Sequence, residues 1–254
     1  MPSQRHFVPN SSGDDLAVII ETSAEPMKSI AMFSHCFTCS KDLKAIVKIS
    51  RRLATHGIAV ARFDFTGLGD STGDFSESNF ETNIADILSV SNWLRNHIGS
   101  PQLLMGISLG GAAMISAARQ IETTKGLVSL ATPSCTKHLA EFLVRQAPEI
   151  ETEGMGQVVI GGRTHQIKKQ MIESLRKRNL DQDIAQISVH HLILHSPMDE
   201  TLGLYHAENL FKYSGGIKSF VTLDGADHLL MNQPGDVEFV ADQIEVWSRR
   251  WREK

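Results

Sequence analysis

The stretch Pro101-Gln-Leu-Leu-Met-Gly-Ile-Ser-Leu-Gly-Gly-Ala-Ala-Met-Ile115 carries a serine whose surroundings suit it for chemistry. Ser108 sits inside Gly106-Ile-Ser-Leu-Gly110, behind the apolar run Leu103–Met105 and ahead of the helix-favouring run Ala112–Arg119. That arrangement predicts a sharp strand-to-helix turn that exposes a nucleophile. A side chain two residues to either side would strike neighbouring backbone, and glycine avoids this. Chance produces such a pentapeptide in about one chain in ten of this length, so the partners must come from elsewhere.

A serine hydroxyl needs a base to take its proton, and the base needs a carboxylate to orient it and stabilise its cation. Seven histidines follow Ser108: His138, His165, His190, His191, His195, His206 and His228. His228 is the one in a loop after the last expected strand, in Leu223-Asp-Gly-Ala-Asp-His228. Asp199 lies in His195-Ser-Pro-Met-Asp-Glu200, just beyond the penultimate strand. It is preferred to the adjacent Glu200, because only one of the two can point back over a sheet. Asp224 and Asp227 suit the shaping of the His228 turn through Asx bonds. An oxyanion needs two donors. The N–H of Leu109, next to the nucleophile, is one. The N–H of Phe37, with Cys36 as second choice, is the other.

Stepping along the chain, apolar strands end just before each of these residues. Ser29–Ser34 precedes Phe37, Ile58–Phe63 precedes Asp64, and Leu103–Ile107 precedes Ser108. Amphipathic helices are predicted over 41–56, 80–97 and 237–251. Strands alternating with helices imply an α/β fold, a mainly parallel sheet with helices on both faces, where ligands bind beyond the carboxyl ends of the strands. The alternation lapses over 133–187, which reads as a small cap insertion in a single domain spanning 1–254. Within it, helical pieces are predicted over 136–147 and 166–178, and Gly161-Gly162 between β-like runs predicts a hairpin.

Composition narrows the classes. Of 254 residues, 41% are hydrophobic and 21% charged, as in an ordinary globular domain. A net charge of −4 gives nucleic acid no footprint. No apolar run reaches the ~18 residues a membrane span needs, and Met1–Phe7 lacks the apolar core of a signal peptide. Three cysteines are too few and too odd for a disulfide framework, so a reducing cytoplasm is the expected compartment. Cys36 and Cys39 have redox-pair spacing, but packing as two small side chains is the plainer reading. A sharper one has their oxidation distort the Phe37 N–H. The Asp64–Gly69 loop matches neither nucleotide fingerprint and reads as a shaped turn. His190-His191 lacks a third ligand at metal-like spacing, and Lys168, Lys169, Arg176 and Arg178 read as a solvated helix face.

Together, Gly106-Ile-Ser-Leu-Gly110, Asp199, His228 and the loop opening His35-Cys-Phe resemble the α/β-hydrolase superfamily over almost the whole chain. More narrowly, His35-Cys-Phe-Thr-Cys-Ser-Lys-Asp42, Arg62-Phe-Asp-Phe-Thr-Gly-Leu-Gly69 and Leu223–Leu230 are similar to hydrolase domains often fused to an OsmC-type peroxide-reducing domain. The resemblance implies a serine hydrolase, usually an esterase on simple substrates, that uses no cofactor or metal. Where many relatives have His-Gly, this chain has His35-Cys36. The expectation is a serine carboxylesterase on small to medium acyl or aryl esters. A peptidase or thioesterase is the alternative within enzymes, and a non-catalytic binding module the alternative outside them. The expected partner is a small-molecule ester. A homodimer and a functional link to a separate OsmC-type protein are further expectations, since the sequence runs to Lys254 without such a domain.

Overall fold

The computed structural model describes residues 3–233 and 235–252. Its strands are β1 (Ser3–Pro9), β2 (Asp15–Glu21), β3 (Ser29–Ser34), β4 (Ile58–Phe63), β5 (Leu103–Ile107), β6 (Gly126–Leu130), β7 (Met155–Ile160), β8 (Arg163–Lys168), β9 (His190–His195) and β10 (Lys218–Thr222). Its helices are α1 (Lys44–Ala54), α2 (Phe80–His97), α3 (Leu109–Ala118), α4 (Lys137–Gln146), α5 (Glu149–Thr152), α6 (Lys169–Lys177), α7 (Leu180–Ala185), α8 (Tyr205–Tyr213) and α9 (Asp236–Arg252). Among the described residues an eight-stranded sheet runs in the order β1-β2-β4-β3-β5-β6-β9-β10, parallel from β4 to β10. An antiparallel β1–β2 hairpin extends it at one edge, with β2 antiparallel to β4.

β3, β4, β5 and β6 are buried along their whole length, as continuous apolar strands covered on both faces must be. One core packs α1 and α9 on the sheet through Ile46, Ile49, Leu53, Val240, Ile244 and Trp247. The other lies under α2 and α3 and continues into α4, α6 and α7 through Ile87, Met114, Leu143, Leu175 and Ile184. Strand order reverses between β3 and β5, which are direct neighbours with Ser34 opposite Gly106. The loop after β3 and the turn after β5 therefore diverge side by side and leave a crevice.

Two helix starts depart from sequence expectation by three residues each. α1 starts at Lys44, not residue 41, because Lys41 and Asp42 are held in a buried ion cluster before the helix begins. The helix expected from 166 starts at Lys169, because Gln166–Lys168 pair with Met155–Gln157 to complete β8. Gly161 and Gly162, at φ 58° and 75°, make the tight turn of that hairpin. α7 had no periodic signal strong enough to predict it. The basic residues of this segment are not a bare solvated face. Arg176 binds Glu141 and Glu151, Arg178 binds Glu81 and Asp183, and Lys168 binds Glu77. No helix among the described residues is long and apolar enough to cross a membrane.

Four buried histidines hold this sheet and its loops together: His35, His191, His195 and His206. His191 lies between the hydroxyls of Ser129 (2.9 Å) and Ser214 (3.1 Å), and burial pushes its pKa down to about 3. Burial likewise lowers His206, to about 4, and also lowers His35 and His195. Each is neutral when folded, whereas a free imidazole titrates at 6.5. Their contribution is therefore fully present above pH 6.5 and is lost as pH falls through 6.5 toward the folded values. The urea midpoint is expected to fall between pH 7 and pH 5, with His191 alone contributing up to about 1.4 kcal/mol per pH unit. His191→Gln should flatten that slope. A midpoint constant across this window would refute the assignment.

Candidate active site

Ser108 joins β5 to α3 with φ 53° and ψ −129°, a conformation rarely adopted by a residue with a side chain. The turn tolerates no bulk around it. A Cβ on Gly106 would lie 2.5 Å from the Gly111 backbone, and one on Gly110 would lie 2.2 Å from the His35 carbonyl. The second contact shows how tightly the nucleophile turn is pressed against the loop after β3. Ser34 Oγ closes the same junction by donating to Gly110 O at 2.9 Å.

His228 Nε2 is 2.9 Å from Ser108 Oγ, and its Nδ1 is 2.7 Å from Asp199 Oδ2. The tautomer consistent with both has Nδ1–H donating to the carboxylate and Nε2 accepting from the serine. Asp199 is buried, and its Oδ1 accepts the N–H groups of Thr201 (2.8 Å) and Leu202 (2.9 Å). Burial by itself would raise the Asp199 pKa. The His228 hydrogen bond and charge and those two N–H groups outweigh burial and hold it below the ordinary carboxylate value. The neighbouring Glu200 is exposed. Asp227 caps the N–H groups of Leu229, Met231 and Asn232, shaping the His228 loop. His195 Nε2 donates to Leu202 O at 2.8 Å and stands 3.7 Å from Asp199. Three residues from the ends of β5, β9 and β10 thus form one hydrogen-bonded line.

The expected oxyanion donors sit beside it. Leu109 is the first residue of α3, so its N–H has no intrahelical acceptor and stands at the positive end of the helix dipole. Phe37 N–H has no acceptor among the described residues. The Cys36 carbonyl accepts from both His35 Nδ1 (2.8 Å) and Cys39 N–H (3.1 Å). In a trans peptide the following N–H points the opposite way, so these two donors turn Phe37 N–H away from His35. The geometry favours Phe37 over Cys36. His35 itself is fixed because its Nε2 accepts Phe65 N–H at 3.2 Å.

Cys36 and Cys39 form a disulfide, which corrects the reading of two separately packed thiols. The chain doubles back at Thr38, with φ 59°, and this brings the two Cα atoms to 5.3 Å. Phe37 therefore lies inside a four-residue covalent ring. Cys135 is free. Behind the ring, Lys41 is buried with its Nζ at 2.8 Å from Asp64, 2.6 Å from Asp70 and 2.9 Å from Asp42. Asp64 also accepts Lys41 N–H and Asp70 N–H, so it is the knot of a shaped turn.

A small cavity of about 10 Å³ opens beside Phe37 and Leu109. Phe65, Leu68, Phe75 and Ala113 make it apolar. The cap closes over this side: His165 of β8 packs on Phe75, and Phe75 packs on Phe37. Sequence reasoning had no signal for Phe75. Asn83 also lines the cavity, and its signal was a polar residue inside the apolar stripe Phe80, Ile84, Ile87 of α2.

Residues 28–174, more than half of the chain, match the family described as serine aminopeptidase, S33 (Hydrolase_4). The chain belongs to that family. Its fold is the α/β-hydrolase fold. The esterase domain of a Rhodothermus marinus protein is 36% identical, covers 99% of this chain and 100% of that one, and superposes with a TM-score of 0.80. Est1E from Butyrivibrio proteoclasticus, solved with ferulic acid, shares the fold at 18% identity, with a TM-score of 0.84 over 98% of this chain and 100% of that one. Human mitochondrial palmitoyl-protein thioesterase ABHD10 is 32% identical over 143 residues, 56% of this chain. That stretch spans 43% of the relative's length. No finding among these comparisons bears on an OsmC-type fusion.

If the disulfide ring holds Phe37 N–H in place, reduction with dithiothreitol should lower kcat for ester hydrolysis, by up to about 100-fold, with KM little changed. Equal kcat in oxidised and reduced protein would mean that His35 and Lys41 hold the loop without the bridge.

Proposed function

We propose that this hydrolase is a serine carboxylesterase acting on small to medium acyl or aryl esters. The observation that carries this reading is the line Ser108–His228–Asp199, set beside two N–H groups with no acceptor among the described residues. Ser108 Oγ attacks the ester carbonyl while His228 Nε2 takes its proton. Asp199, ionised because its pKa is held low, stabilises the imidazolium. The N–H groups of Leu109 and Phe37 receive the oxyanion. As the tetrahedral intermediate collapses, His228 returns the proton to the departing alcohol and an acyl-serine remains. Water, deprotonated by His228, then attacks it and releases the acid.

The size of the site supports the substrate class. The cavity beside these N–H groups holds about 10 Å³, room for roughly one water-sized group, far below the ~300–1,000 Å³ of pockets for drug-sized ligands. The 36% identical neighbour over the full chain is an esterase domain. A thioesterase is the second reading, favoured by the ABHD10 match. It uses the same steps with a thiolate as the leaving group.

Ser108→Ala should reduce kcat/KM for p-nitrophenyl butanoate by about 10⁴-fold or more, and Asp199→Asn by about 10³–10⁴-fold. An organophosphonate probe should add its mass to Ser108. Undiminished hydrolysis by Ser108→Ala, or no adduct, would sink the proposal. Matched oxygen and sulfur esters of one short acid separate the two readings: a kcat/KM advantage for the oxygen ester beyond its intrinsic reactivity supports the first.

A further inference from the structure

None of the residues that line the cavity beside the proposed oxyanion donors comes from the Asp199 or His228 loops. That decides which half of an ester enters it. The leaving alcohol must collect its proton from His228 Nε2, so it departs on the His228 side. The acyl part points the other way, past Phe37 and Leu109, into the cavity.

Three of the lining side chains are polar, and two are spoken for. His35 uses both ring nitrogens, on Cys36 O and Phe65 N–H. Thr38 Oγ1 donates to Phe37 O at 2.7 Å. Asn83 is different. It is only 8% exposed, yet its amide has no hydrogen-bond partner among the described residues. Its backbone N–H is in the α2 ladder, to Asn79 O, so the side chain carries the unmet capacity. A primary amide with two donors and an acceptor unused by the protein, facing a mainly apolar cavity, offers a bound oxygen hydrogen bonds that the rest of the lining does not.

Resting on the esterase reading, we propose that Asn83 binds a hydrogen-bonding oxygen on the acyl part of the substrate, so that this enzyme prefers esters of oxo- or hydroxyl-bearing acids to those of plain hydrocarbon acids. The apolar walls from Phe65, Leu68 and Phe75 take the carbon skeleton, and the amide reads the oxygen. A hydrocarbon acid of the same shape leaves the amide dry and unpaired, which is the arrangement that gives polar sites their discrimination.

The test uses isosteric p-nitrophenyl esters: 4-oxopentanoate against 4-methylpentanoate, and 4-hydroxyphenylacetate against 4-methylphenylacetate. Wild-type protein should favour the oxygen-bearing member by about tenfold or more in kcat/KM in at least one pair, the equivalent of one well-made hydrogen bond. Asn83→Leu should lower kcat/KM for that member, raise it for the hydrocarbon member and invert the ratio. A wild-type ratio at or below one in both pairs, or a ratio that Asn83→Leu leaves unchanged, overturns the proposal. Hydrolysis that survives Ser108→Ala would instead overturn the esterase reading. The pocket is then judged without turnover, by calorimetry with the free 4-oxo and 4-methyl acids. Tighter binding of the oxo acid by wild type, lost in Asn83→Leu, upholds the role of Asn83, and equal affinity overturns it. The same calorimetry on wild-type protein decides the matter should Asn83→Leu fail to fold.

Discussion

The pairing of Lys41 with Asp64 is the contact on which the site's architecture rests. Both side chains are almost wholly buried; Lys41 comes from the loop after β3, beside the Ser108 turn, and Asp64 from the loop after β4, one strand further out. Removing two charges from water is expensive, and their mutual attraction returns little net stability unless the remaining hydrogen-bonding capacity is filled. Here it is filled. Asp64 accepts from Lys41 Nζ, Lys41 N–H and Asp70 N–H, while Lys41 also meets Asp42 and Asp70. Arg62 on β4 continues the cluster to Asp42 and Glu21. What the pair supplies is position. It ties the loop carrying Phe37 to the loop carrying Phe65 and Leu68, and so fixes the proposed oxyanion donor and two cavity walls relative to each other.

The second constraint is the close approach of two backbones. Ser108 holds a φ of 53°, a conformation that costs of order 1–3 kcal/mol and persists only when its surroundings enforce it. They do so from three directions. Ser108 N–H donates to Leu130 O and extends the β6 pairing, Gly110 lies against His35 O, and Ser34 Oγ holds Gly110 O. The turn cannot relax without breaking the junction with the loop after β3. Ser108 and the Phe37 N–H therefore share one rigid joint, and His35 locks the far side of that joint through Cys36 O.

This division explains what could be read from sequence. Strands β3 to β6 were legible because burial on both faces makes them continuous apolar runs. α2 was legible to its ends because Asn79 and Thr82 form a capping box and Gly99 follows the C-terminus. Ser108, Asp199 and His228 were legible because each follows a strand, so that chain order and the sheet together bring them into line. What escaped depends on long-range partners. The start of α1 is set by Asp64, 23 residues after Lys41. The Cys36–Cys39 bridge depends on the left-handed Thr38, which spacing alone does not reveal. The extent of β8 depends on register with β7, and the cavity wall at Phe75 depends on the cap residue His165, 90 positions away in sequence and in ring contact in the fold.

The two sides of the reacting carbonyl are built differently, and this says where selectivity in the proposed reaction resides. On the acyl side the walls are buried or half-buried, braced by the disulfide ring, the ion cluster and the cap. On the His228 side, Met198, next to Asp199 in the chain, and Met231, three residues after His228, are 65% and 46% exposed. The imidazole of His138 on α4 stands within electrostatic range of His228. An enclosed wall cannot yield to a misfit group without disturbing close-packed neighbours, whereas flexible, solvated methionines can. Discrimination should therefore be strict for the acid and loose for the alcohol. That asymmetry follows from the fold itself. The cavity is walled by the loops after adjacent strands β3 and β4, by α3 and by Asn83 of α2, with the two loops tied by the Lys41–Asp64 pair, while Asp199 and His228 stand on the loops after β9 and β10 and are joined by the hydrogen bond they share.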